Sequence, residues 1–263
     1  MARGLWSGTL SFGLVAVPVR MVSAVRDRNI HFHEIDKKTG ERIEIRRTCA
    51  TDNKEVPWEQ IGHGYELEGK QVVLSDEELA AAAPERTRTI EIDQFVDLDA
   101  IDPAHFNHPY FLLPDSQSEG VIRAYRLLRD AMSSAEHVAI GRIVLRAKEY
   151  LVAVHERDGL LSLTTMLFAD EIRAPASISA VPTGRTGMPR RGEVDQALEI
   201  IDANTRDFNP TRYEDCHRSR LMKIIQAKRR TGEVEIPQVE PEPDHVPDLM
   251  AALKESLARV KQT

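Results

Sequence analysis

Aromatic residues make up only 5% of this 263-residue chain, and it holds just two cysteines, Cys49 and Cys216. Two thiols cannot staple a disulfide scaffold and suit a reducing compartment, so a cytoplasmic location is expected. No apolar run approaches the ~20 residues that span a bilayer, and Arg3 is followed by Ser, Gly and Thr instead of the apolar core of a secretion signal. No membrane partner is expected. A Walker-type phosphate loop and a nucleophile elbow are both missing. Cys216 and His217 adjoin on a predicted helix, where their side chains point about 100° apart and cannot form a dyad. Asp76, Glu77 and Glu78, and likewise Asp97 and Asp99, fit helix-start and surface charges better than acid–base couples. Among His31, His33, Cys49 and His63 a structural zinc would need close ligand pairs, and Asp52 stands where a Cys-x-x-Cys partner of Cys49 belongs. No metal, cofactor or enzyme activity is expected.

Modules that read nucleic-acid sequence are missing as well: there is no zinc-finger spacing, RNP motif or helix-turn-helix. The few aromatics in the basic stretches disfavour stacking on single strands. Charge, however, is strongly segregated beneath a net −7. Residues 20–54 hold nine basic and six acidic side chains, and residues 75–119 hold two basic and eleven acidic. Residues 212–230 carry seven basic against two acidic, whereas 233–248 carry six acidic and no basic ones. Unrelated solvated faces would produce such runs too, but folding can also gather the basic ones on one surface. Arginines and lysines without base readers imply contact with phosphates, which is salt-sensitive and indifferent to sequence.

Most of residues 8–26, 88–98, 108–113, 138–155 and 159–168 has strand character, with a bend or bulge near Gly13, an edge or strand end near Pro18 and a hairpin turn at Asp158–Gly159. Short connections after residue 88 favour an antiparallel sheet or barrel over βαβ units. Ser75 and Glu78 have capping-box spacing ahead of a helix that Pro84 stops; Ser116 and Glu119 repeat that spacing ahead of Val121, Tyr125, Leu128 and Met132. Val194, Ala197, Leu198 and Ile201 mark a third helix. Asn209 as N-cap with Pro210 opens a fourth, running to Gly232. The expected class is mixed α+β, mostly β: an antiparallel barrel core with helices at about 193–231, the core ending near residue 235. Residues 236–263 are expected to be an acidic Pro-rich linker and a short amphipathic helix with Leu249, Leu253 and Leu257 on one side.

Several stretches, in one order, carry a resemblance. They are Trp6–Arg20 (WSGTLSFGLVAVPVR), Phe32–Asp36, Lys70–Leu79, Thr89–Val96, Asp102–Pro103, Tyr110–Pro114, Arg146–Leu151 and Asp170–Arg173. Together they resemble the prokaryotic Ku family, the DNA-end-binding proteins of non-homologous end joining. The resemblance implies a non-enzymatic homodimer whose barrel cradles duplex DNA while an inserted bridge arches over it, so that only a free end admits the ring. The bridge is placed at about 30–84. Half-encircling a duplex takes about 14 extended residues, so a strand out and a strand back fit. Its cations Lys37, Lys38, Arg42, Arg46, Arg47, Lys54 and Lys70, with Arg20, Arg26 and Arg28, are the candidate DNA contacts; a strand at 42–46 would put Arg42 and Arg46 on one face.

The end of the chain resembles the minimal tail of bacterial Ku, and the family link is to the ATP-dependent end-joining ligase, through Leu249, Leu253 and Leu257; docking on its own core is the competing use. Without the lysine-rich tail of many relatives, internal DNA binding is expected to be absent. Two other readings stay open on residues alone: a barrel module whose basic patches bind RNA or an acidic protein, and a metal-dependent nuclease, which the scattered carboxylates disfavour.

Overall fold

The computed structural model describes residues 4–84, 88–146, 148–178 and 188–232. Among these the chain forms two compact units. Of the described residues, the first contains those up to 28 and those from 32 to 177, and the second residues 29–31 and those from 178 to 232.

Seven strands of the first unit close a barrel: β1 (Trp6–Phe12), β2 (Val15–Ser23), β5 (Thr89–Asp97), β6 (Phe106–Pro114), β7 (His137–Leu145), β8 (Lys148–Arg157) and β9 (Leu160–Met166), in the order β1-β2-β6-β9-β8-β7-β5. Every seam is antiparallel except β1–β5, where Leu10 faces Ile90 in parallel register. Parity explains this departure from the expected antiparallel barrel. Strand directions cannot alternate around a ring of seven, so one seam must be parallel.

Residues 6–23 form a hairpin instead of one bent strand. Phe12 pairs with Val15, and Gly13, at φ +54°, takes the first turn position, where the II′ hairpin places glycine. Of the two readings at Pro18, a strand end and an edge, the second describes it: Pro18 sits inside β2 opposite Thr9, and its carbonyl accepts from the Asp115 N–H just where the β2–β6 ladder stops. Its missing N–H points the same way and costs no bond to β1. Asp158 and Gly159 both take positive φ in the β8–β9 turn, as the sequence pattern requires.

Alternation fills the core. Leu10, Val17, Val19, Met21, Ile90, Leu112, Ile143, Val152, Val154, Leu161 and Leu163 are fully buried in one cluster. The opposite parity of β7 and β8 builds a second cluster from Val138, Ile140 and Ala153 with Met166. Gly141 is required by contact: a Cβ there would overlap the Glu91 backbone carbonyl. Helix α2 (Glu119–Ala135) adds Tyr125, Leu128 and Met132 to the core. Its N-cap is Ser118; Ser116 lies outside, accepting from the Ser118 N–H.

Between β2 and β5 lie the hairpin β3 (His63–Leu67)/β4 (Lys70–Leu74) and the short helix α1 (Asp76–Ala82). Ser75 and Glu78 form the expected capping box at the start of α1. The second unit contributes α3 (Arg191–Asn204) and α4 (Cys216–Thr231). Asn209 and Pro210 open a single 3₁₀ turn, and α4 starts separately behind the Asp215 cap. Gly232, at φ +78°, ends it by donating to the Lys228 carbonyl.

Candidate nucleic-acid interface

No residue from Ser23 to Pro84 is buried, and only scattered positions, among them Ile30, Cys49, Val56, Leu74 and Leu79, are half-buried. The segment is held by local hydrogen bonds instead of a core. One loop closes as the Asp36 N–H donates to the Glu41 carbonyl and the Ile43 N–H to the Glu34 carbonyl, with Ile35 bridging Arg42. Lys37 and Lys38 occupy its tip, where the Asp36 carboxylate accepts from the Lys38 N–H at 2.8 Å. A second loop closes as Thr48 bridges Glu55 and the Val56 N–H donates to the Arg47 carbonyl. The β3–β4 hairpin follows, turning at Glu68 and Gly69, both at positive φ, with Lys70 opening its return strand.

These closures correct the expectation of one strand through residues 42–46. Each loop bonds to itself, so Glu44 to Arg46 find no ladder, and Arg42 and Arg46 do not share a strand face.

The ten candidate cations divide by their surroundings. Arg20 lies on β2 between buried Val19 and Met21, so alternation turns it to the face away from the core. Arg26, Arg28, Lys37, Lys38, Arg42 and Lys70 are exposed, and none has a carboxylate partner among the described residues. Arg46 is already satisfied: Glu44 sits at 3.0 Å and Glu55 at 3.2 Å, and the hydrogen bond it donates to Glu44 leads the effects that raise its pKa. Lys54 pairs with Asp52 at 3.2 Å. Arg47 instead lies over the indole of Trp58, 4.5 Å from the ring centroid. Sequence reasoning missed Trp58, which is 69% exposed and sits in a 3₁₀ turn after Pro57. It also missed the β3–β4 hairpin, although alternating Tyr65, Leu67, Val72 and Leu74 around Glu-Gly carried the signal.

Among the described residues no three His, Cys, Asp or Glu side chains come together as a metal site, and no helix is long and apolar enough to cross a membrane. The Cys49 thiol is pulled below its usual pKa, chiefly by the Thr51 and Asp52 backbone N–H groups, with no histidine as partner. Leu249, Leu253 and Leu257 lie outside the described residues.

Among the described residues the chain is thus a seven-stranded β-barrel protein, interrupted between β2 and β5 by an exposed, cation-bearing insert. The model of the Ku70/Ku80 beta-barrel domain matches residues 11–195. The chain is 42% identical to the non-homologous end joining protein Ku of Anaeromyxobacter sp., over 100% of this chain and 87% of that one. It is 37% identical to Ku 1 of Saccharopolyspora erythraea (100% and 80%) and 36% identical to Ku 1 of Geotalea uraniireducens (99% and 98%). The chain belongs to the prokaryotic Ku family, whose proteins are non-catalytic.

Proposed function

We propose that the chain binds double-stranded DNA ends without regard to sequence, as a ring-shaped homodimer in non-homologous end joining, protecting the ends and recruiting an ATP-dependent DNA ligase. The observation that carries the reading is the unburied, cation-bearing insert from Ser23 to Pro84 in a chain of the Ku family. Arg20, Arg26, Arg28, Lys37, Lys38, Arg42, Arg47 and Lys70 supply the phosphate contacts, while Arg46 and Lys54 contribute less because carboxylates already share their charge.

The homodimer is supported by apolar exposure. Phe32, Ile45, Trp58, Tyr65 and Val73 of the insert, and Ile201, Phe208 and Tyr213 of the second unit, are all more than half exposed. So much apolar surface is unusual on a monomer, and a symmetric second copy covers it at equivalent places on both chains. Leu249, Leu253 and Leu257 serve as the ligase-docking face. Nonspecific phosphate binding does not itself prefer ends; closure around the duplex supplies that preference. Gel-shift competition tests it. Linear duplex should displace bound linear probe, and covalently closed circles of equal mass should not; equal displacement by both overturns the reading.

A further inference from the structure

Three of the family-like stretches, Trp6–Arg20, Tyr110–Pro114 and Arg146–Leu151, contribute only Arg20 to the proposed DNA surface. They converge elsewhere, around a cavity of about 240 Å³ in the barrel unit. Trp6 lines it from β1, His108 and Tyr110 from β6, Tyr150 from β8, and Arg146 from the turn joining β7 to β8, with Asn107 beside them. Aromatic walls with a few converging polar groups are the usual make-up of a ligand cleft, and this volume falls just under the ~300 Å³ at which such clefts begin, so its ligand is small.

Arg146 is the unusual member. Its φ is +51°, the left-handed conformation that the first position of the two-residue turn between paired Leu145 and Lys148 takes. Its side chain is uncommitted: among the described residues the Arg146 guanidinium has no ion pair or hydrogen bond. Its guanidinium is close enough to the Tyr110 phenol to oppose the rise in pKa that burial, first, and Tyr150, second, impose. The His108 and Tyr110 rings lie 4.7 Å apart. The Thr165 hydroxyl at the rim is already committed to the His108 backbone. What remains available is a planar cationic fork, an amide, an imidazole and aromatic surface. That set matches a phosphate attached to a flat heterocycle.

We propose that this cavity binds a single nucleoside monophosphate, with its phosphate on Arg146 and its base against the aromatic walls. The same chemistry has two sources: a free mononucleotide, or the 5′-phosphorylated last nucleotide of a single-stranded overhang. The free-nucleotide case stands apart from the end-binding reading.

Equilibrium dialysis of the full chain with labelled dAMP tests the site. Arg146→Gly removes the guanidinium at a position whose φ suits glycine, so the variant should melt no lower than the parent while binding dAMP at least about tenfold more weakly. Arg146→Lys, which keeps the charge and loses the fork, should fall between the two. Tyr150→Leu should weaken dAMP but leave deoxyribose 5-phosphate unchanged. Overhang duplexes ending in 5′-phosphate or 5′-hydroxyl then serve as competitors. Competition by the phosphorylated end alone assigns the site to DNA termini, and competition by neither assigns it to free nucleotide. No saturable dAMP binding at millimolar concentration, or equal binding by the parent and Arg146→Gly, overturns the proposal. Binding of blunt linear duplex, measured alongside, reports on the end-binding reading separately and should not change in Arg146→Gly.

Discussion

The guanidinium of Arg47 rests on the face of Trp58, 4.5 Å from the ring centroid, while its neighbour Arg46 is held by Glu44 and Glu55. Two adjacent arginines thus present different charges to a polyanion. An aromatic face orients a guanidinium without neutralising it, whereas two carboxylates do both. Arg47→Ala should therefore weaken linear-duplex binding and reduce the slope of log affinity against log salt by about 0.9, the value of one phosphate contact. Arg46→Ala should change that slope much less. Reversing Arg42, Arg46 and Arg47 to glutamate together should flatten it most and leave the melting temperature unchanged, because all three are exposed. An unaltered slope in the triple variant would remove the insert from the DNA surface.

The Tyr125 hydroxyl relays the last rung of the β6–β9 ladder. It donates to the Leu112 carbonyl at 2.7 Å and accepts from the Leu161 N–H at 2.9 Å, and Leu112 and Leu161 are paired residues. Tyr125→Phe keeps the ring and strands a buried N–H and C=O. Denaturant unfolding should show a loss of about 1–3 kcal/mol with no change in the DNA salt slope. A loss near zero would mean that the two strands bond directly once the hydroxyl is gone.

His155 titrates below the ordinary histidine value because burial disfavours its charged form, with Arg157 adding to the effect, and its Nδ1 has no partner among the described residues. The unfolded chain then takes up this proton more readily than the folded one. Stability is full above the unfolded pKa of about 6.5 and declines as pH falls through it toward the depressed folded value. Melting temperatures between about pH 8 and pH 5 should drop more for the parent than for His155→Gln. Parallel curves would show that other groups set the acid limit.

Deleting residues 240–263 should leave end binding near the parental level and reduce stimulation of an ATP-dependent end-joining ligase. Leu249→Glu with Leu253→Glu should reproduce the loss in the full-length chain. Unaffected ligation would remove ligase docking from this segment.

Much of the barrel was legible because its signals are local. Alternation in β5, β8 and β9, the Asp158–Gly159 turn and the Ser75–Glu78 box each lie within a few residues of what they determine. The misses share a different origin. Leu14, apolar and yet fully exposed at a turn, disguised the first hairpin as one strand. The β1–β5 seam joins residues about eighty positions apart and leaves no periodic trace, although the strand count forces it. Charge patterning marked residues 20–54 as basic but could not tell Arg46 from Arg47, since that difference rests on Glu55 and Trp58 arriving from the closure of the second loop. The Arg146 cavity was likewise hidden: its walls come from five separate stretches of chain.

Topological trapping tests the central claim most directly. Protein is loaded onto linear duplex, both ends are then sealed with ligated hairpin caps, and the salt is raised until ordinary phosphate contacts dissociate. A threaded ring should stay on the capped DNA and slide off the uncapped control. Equal release from both would contradict encirclement and leave only an open, ionic contact with the duplex.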